Sequence, residues 1–363
     1  MPTFITKELL LIIEIALVLI YFTSYVSSIT TKVLLVFLIP IMLYVFIVGN
    51  LVSNDTVKYY IPFYDESTWR TFEPGYTLLN EFFRSMSFTA EGFISLLITY
   101  FFIIKTISFY KISGNVRDFS FSLVIMFSGI SYLILIFGVF RQFIAFSLVT
   151  FSVYLFAMQK KKFSLISILC AVSIHFSSVI YLLLPLFVKV EKKWGLRIIL
   201  FSVILALSSS KLISLMLVVF SIIGDNFIVD SILRGVEYSN INDLHSTYYI
   251  KYLISACVVF STKFLIERYV RDDISEKRSH VILSLNSIIT LTFLIASLAF
   301  FSKEASIRML YNLNIWTALL VGIMLGSIRL RKRFIADIII MLMMVGYSTL
   351  SHHWMEKYIN RFF

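Results

Sequence analysis

The chain has 363 residues, 59% of them hydrophobic and only 15% charged, with a mean hydropathy of +0.90. A water-soluble domain carries roughly 25% charged residues, so a soluble globular class is excluded. The net charge of +11 does not point to nucleic acid in such a chain, because Lys and Arg accumulate in the cytoplasmic loops of membrane proteins.

Apolar runs of about 18–25 residues each suit a membrane-crossing helix. They predict spans near 8–27, 32–50, 87–109, 119–137, 139–158, 198–216, 249–267, 280–300, 308–327 and 334–350. The first run is too long for a signal-peptide core, lacks a clear small-residue cleavage site and is followed at once by another span, so it reads as a span itself. Cys170 and Cys257 lie inside apolar runs, where plain packing is expected rather than a disulfide or metal ligation. No HxxxH, CxxC or paired-carboxylate spacing occurs on a helix, and neither a metal cage nor a cofactor is expected.

The run 163–188 is handled by charge. It carries His175 near its centre, with Lys160, Lys161 and Lys162 before it and Lys189, Lys192, Lys193 and Arg197 after it. If it folds as a re-entrant hairpin and residues 51–86 lie outside, 20 Lys and Arg fall inside and 12 outside. A single crossing flips everything downstream and gives 14 inside against 18 outside. The positive-inside rule favours the hairpin, with 189–197 as a cytoplasmic loop. Each arm of about 12 residues reaches only about 18 Å as helix, so its tip stops inside the outer half of the bilayer, where irregular backbone needs protein or a water-filled cavity around it. The expectation is an all-α, polytopic integral membrane protein of about 12 membrane segments. It forms one membrane domain over 1–363, with external segments at 51–86 and 212–248.

On that topology the polar side chains collect outside. Asp55, Tyr59, Arg70, Glu73 and Tyr76 lie in the first external loop; Arg141-Gln142, His175, Arg234, Arg308 and Tyr311 come from elsewhere but share its side. Arg141 could simply snorkel to headgroups. Facing a cavity together with Arg308, it would instead suit a diphosphate, since guanidinium groups bind phosphate oxygens bidentately. Tyr311 falls three residues after Arg308 on the same helix face. Loop carboxylates and tyrosines suit a sugar site: carboxylates accept hydroxyl hydrogen bonds and aromatic faces pack on pyranose rings. Asp55 or Glu73 could act as general base, Asp55 being the first choice, with His175 as a competing proton acceptor.

These residues resemble a known pattern: Asp55 followed by Tyr59, then Glu73-Pro74-Gly75-Tyr76, Arg141-Gln142 with Ala145, Ala171-x-x-x-His175-x-Ser177, and Arg308-x-x-Tyr311. In this order they resemble the EpsG-like, Wzy-type polymerases of bacterial O-antigen, capsule and exopolysaccharide. Asn54 stands where that family usually has glycine.

The resemblance implies a GT-C-like membrane glycosyltransferase of the bacterial inner membrane, with its active site facing the periplasm or exterior. Its partners would be undecaprenyl-diphosphate-linked oligosaccharides, as donor and acceptor, and a chain-length regulator protein. Asp55, Glu73 and His175 would be the catalytic candidates. Arg70, Tyr59, Tyr76, Arg141, Gln142, Arg234, Arg308 and Tyr311 would bind substrate. The alternatives are a flippase for the same lipid-linked sugars, which should place charges near the bilayer midplane and show internal symmetry, and an O-antigen ligase, which differs in its acceptor.

Overall fold

A computed structural model describes residues 27–51, 63–64, 73–127, 140–208, 247–269, 275–298 and 303–327, with scattered positions between 13 and 24. The described residues are helical, with no strand among them. In chain order the helices are α1 (Ser28–Leu51), α2 (Pro74–Ser85), α3 (Ala90–Ser113), α4 (Val116–Phe127), α5 (Phe140–Ala157), α6 (Lys161–Ile174), a 3-10 helix (Phe176–Leu183), α7 (Leu184–Leu207), α8 (Thr247–Tyr269), α9 (Glu276–Leu298) and α10 (Lys303–Ser327). Among them four stretches are long and apolar enough to cross a membrane: Ser28–Val48, Ala90–Ser113, Phe140–Ala157 and Glu276–Ser297. Val36 and Phe37 on α1 and Tyr100 and Ile107 on α3 turn outward, as helices bathed in lipid do. The described residues are those of a helical membrane protein.

Local signals set the ends of α3. The Thr89 side chain accepts from the Gly92 amide at 3.1 Å, satisfying an orphan donor of the first turn. Gly114 at φ +81° closes the C-terminus, a left-handed position that a side chain would strain. Pro74 opens α2, where its missing N–H costs nothing.

The core is one continuous apolar cluster. Its main contacts run between α5 and α6, α3 and α5, α7 and α9, α9 and α10, and α10 and α4. Aromatic pairs mark the seams: Phe46 meets Phe102 at 4.8 Å between centroids, Phe146 meets Trp316 at 4.9 Å, and Tyr252 stacks on Phe293 at 4.7 Å. The α5–α6 pair is also stitched by hydroxyls. Ser152 and Ser164 bond at 2.7 Å, and Ser167 donates to the Leu148 carbonyl at 2.8 Å. Such bonds hold helices together where lipid removes most of the hydrophobic driving force.

Two sequence expectations meet the structure differently around His175. The interruption there is present: α6 stops at Ile174 and the backbone of His175 is extended at φ −151°, ψ 110°. The basic stretch 189–197, expected as a loop, is instead the middle of the continuous helix α7. The reason lies in spacing. Lys189, Lys192, Lys193 and Arg197 all fall on the exposed side of the helix, while Glu191, Gly195 and Ile199 repeat every four residues on the buried side. A basic stretch with helical periodicity has no need to unwind.

Inside the bundle, Glu191 of α7 accepts from Lys263 of α8, and the same ammonium donates to Thr290 and, at 3.1 Å, to the Asn286 carbonyl of α9. One buried charge pair thus ties three helices.

Candidate active site

Three helix ends converge on one carboxylate. Glu73 occupies the N-cap position of α2 with extended backbone (φ −66°, ψ 146°), yet its side chain makes no bond to the amides of its own helix. It turns instead toward the start of α5 and the end of α6. Oε2 accepts from Nη1 of Arg141; Oε1 accepts from Nδ1 of His175 at 3.2 Å and from the Phe176 backbone N–H at 3.1 Å.

The chain reaches this arrangement by simple lengths. Residues 158–160 reverse the direction between α5 and α6. From that turn back to Arg141 is 16 residues, about 24 Å of helix, and forward to His175 is 14, about 21 Å. The two side chains therefore end nearly level. The Phe176 amide is a product of the same break: it opens the 3-10 helix, and the first amides of any helix have no partner within it. On the third side, α2 packs against α6 because Gly75 leaves room for Ser173. A Cβ at position 75 would lie 2.8 Å from both the Ser173 Cβ and its carbonyl oxygen.

Tyr76 supports Arg141 from below. Its ring is buried, 5.9 Å from the guanidinium carbon, and packs against Phe93 and Phe140. Arg141 is 21% exposed and His175 15% exposed, so both remain reachable from outside the bundle.

Electrostatics fixes the protonation of the carboxylate. Burial alone would raise the Glu73 carboxyl, but the His175 hydrogen bond, the Arg141 charge and the Phe176 amide together outweigh it and hold it at about 2. Glu73 is thus ionised at neutral pH and can only accept hydrogen bonds. The proton of that hydrogen bond therefore sits on His175 Nδ1, and Nε2 is the ring nitrogen that Glu73 leaves unengaged.

The remaining sequence candidates are distributed as follows. Gln142, next to Arg141, is buried. Tyr311 is half-buried against the core on α10, and its neighbour Asn312 donates to the Tyr181 hydroxyl at 3.3 Å, linking α10 to the 3-10 helix that follows His175. Arg308 lies on α10, with its side chain outside the described residues. Asp55, Tyr59, Arg70 and Arg234, like most of the segment 212–248 that was expected to be external, lie outside the described residues. Sequence reasoning missed the Phe176 amide and Ser173; the helix-breaking His175 between two helical runs was the available signal for the first. Among the described residues no three His, Cys, Asp or Glu side chains come together to hold a metal ion.

A membrane-embedded helical bundle with a charged Glu–Arg–His cluster at one end defines the class. The chain belongs to the EpsG family, whose model matches residues 32–362. That membership supports a role of the polysaccharide-polymerase type. No curated protein and no solved structure matches the chain.

Proposed function

We propose that this protein polymerises undecaprenyl-diphosphate-linked oligosaccharide repeat units into a bacterial surface polysaccharide at the outer face of the inner membrane. It would do so as one GT-C-like membrane domain of about 12 segments, with 51–86 and 212–248 walling the site. The observation that carries this reading is the convergence of Arg141, His175 and the Phe176 amide on Glu73.

Each group then has a role. Glu73 holds His175 in one tautomer, leaving Nε2 to take the proton from the acceptor sugar hydroxyl. The acceptor oxygen bonds to the donor's anomeric carbon as the bond from that carbon to the diphosphate oxygen breaks. The electron pair leaves with the undecaprenyl diphosphate. Arg141, anchored through one nitrogen, offers its other N–H groups to that developing charge, and Tyr76 acts through Arg141 by fixing its plane. Arg308, Arg70 and Arg234 are further candidates for the diphosphate, and Asp55 for orienting the acceptor. Tyr59, Gln142 and Tyr311 would complete the binding surface.

The test uses purified protein in proteoliposomes with one synthetic undecaprenyl-diphosphate repeat unit. The wild type should give a ladder of products, and Arg141→Ala and His175→Ala should each leave the single unit unextended. Normal ladders from both variants, each folded as judged by its thermal transition, would overturn the assignment.

A further inference from the structure

The 3-10 helix that follows His175 is eight residues long, whereas such helices seldom run beyond about four. Its first turn is closed by the Ser178 N–H, which donates to the His175 carbonyl at 3.0 Å, so His175 is wound into it. Three residues per turn place Ser178, Tyr181 and Leu184 on one face, and all three are buried. In an α-helix Leu184 would stand about 120° round from Ser178. The tight winding therefore needs contacts that hold it.

One end is held by Glu73, through Nδ1 of His175 and the Phe176 amide. The other end is held by Tyr181, about 10 Å further along the axis from Phe176. Tyr181 is buried, and its hydroxyl accepts from Nδ2 of Asn312 on α10 at 3.3 Å. Thr292 of α9 and Trp316 of α10, both buried, stand round the same hydroxyl. Polar groups of two helices gathered on one hydroxyl inside an apolar bundle resist rotation of the segment that carries it, because rotation would strand them unpaired. Arg308 precedes Asn312 by four residues on α10, so the same bond ties the His175 segment to the helix that bears this arginine.

We propose that Tyr181 is a positioning residue: its bond to Asn312 sets the rotation of the 3-10 helix and thereby holds His175 and the Phe176 amide against Glu73. Tyr181 touches no reacting atom and acts through His175. Its effect on rate rests on the polymerase reading above; its effect on the geometry of His175 does not.

The experiment therefore has two readouts on the full-length protein in proteoliposomes. The first is the nitrogen NMR signal of the His175 ring in protein labelled with ¹⁵N-histidine, assigned by its loss in His175→Gln. Tyr181→Phe should shift the Nδ1 signal or split it, as the bond to Glu73 is released in part of the population. Tyr252→Phe, which removes a buried hydroxyl bonded to Ser297 between α8 and α9, should leave it unchanged. The second is single-turnover transfer from the synthetic lipid-linked repeat unit. Tyr181→Phe should lower its maximal rate by about 10²-fold, as a misplaced reacting group does, with the half-saturating substrate concentration unchanged. Asn312→Leu should reproduce both effects, and Tyr181→Phe/Asn312→Leu should be no worse than either alone, since one bond is lost in all three. If Tyr181→Phe does not fold, Asn312→Leu carries the test. An unchanged Nδ1 signal in a folded Tyr181→Phe protein, an equal shift in Tyr252→Phe, or additive losses in the double variant would overturn the proposal. A wild type that forms no ladder removes the polymerase reading and leaves the NMR comparison to decide this one.

Discussion

Replacing Glu73 by Gln keeps the shape of the side chain and removes its charge. The native carboxylate accepts from three donors at once; an amide presents one oxygen and one N–H₂, so a donor must face either Arg141 or His175. The cost follows from the carboxyl's depression from 4.5 to about 2, which at 1.36 kcal/mol per unit converts to about 3 kcal/mol. Glu73 is 20% exposed, and solvent screening trims this to about 2 kcal/mol. The catalytic loss should be larger than the stability loss, because His175 would lose the partner that sets its tautomer and direction. Loss of a positioned general base costs about 10²–10⁴-fold in rate. The assay is single-turnover transfer in proteoliposomes with the synthetic lipid-linked repeat unit, alongside thermal unfolding of the same preparation. A folded Glu73→Gln protein that elongates at the wild-type rate would refute the orienting role.

Other consequences can be tested separately. The Glu73 carboxyl is depressed in the folded protein, so its stabilisation is complete above about pH 4.5 and is lost as pH falls through about 2. The unfolding temperatures of wild type and Glu73→Gln should therefore differ equally at pH 5 and pH 8; a gap that halves between these values contradicts the ionised carboxylate. Gly75→Ala should drive a methyl into Ser173 and destabilise by about 1–3 kcal/mol. Ser173→Gly should restore part of that stability, and a neutral Gly75→Ala would show that the contact between α2 and α6 is not tight. Lys263→Met should leave buried Glu191 uncompensated and cost about 3–5 kcal/mol, whereas Glu191→Gln/Lys263→Met should recover most of it. Thermal unfolding reads both variants, and additive losses would remove the pair from the account of how α7, α8 and α9 are joined.

Hydropathy made the helices legible because lipid demands long apolar runs. The spans read at 32–50, 87–109, 139–158, 249–267, 280–300 and 308–327 correspond to α1, α3, α5, α8, α9 and α10. It failed at 189–197 for a physical reason: a charge count treats any basic stretch as a loop, while a helix can carry such residues on one face and bury Glu191 against Lys263 on the other. The residue types of the site were also legible, since Glu73, Arg141 and His175 are polar groups in places where packing does not call for them.

Their partnership was not legible, and that changed the reading of Glu73 itself. As a loop acid it was one of two candidate bases; in the fold it accepts from three donors and is held ionised, which is why the proposed mechanism gives the proton-accepting role to His175. Sequence by itself determined that the chain is a helical membrane protein and which side chains were available for chemistry, because composition and periodicity are local properties. Only the tertiary structure decided that residues 73, 141 and 175 share one carboxylate. That depends on the near-equal lengths of α5 and α6 and on the absence of a side chain at Gly75, neither of which has meaning until the helices are packed.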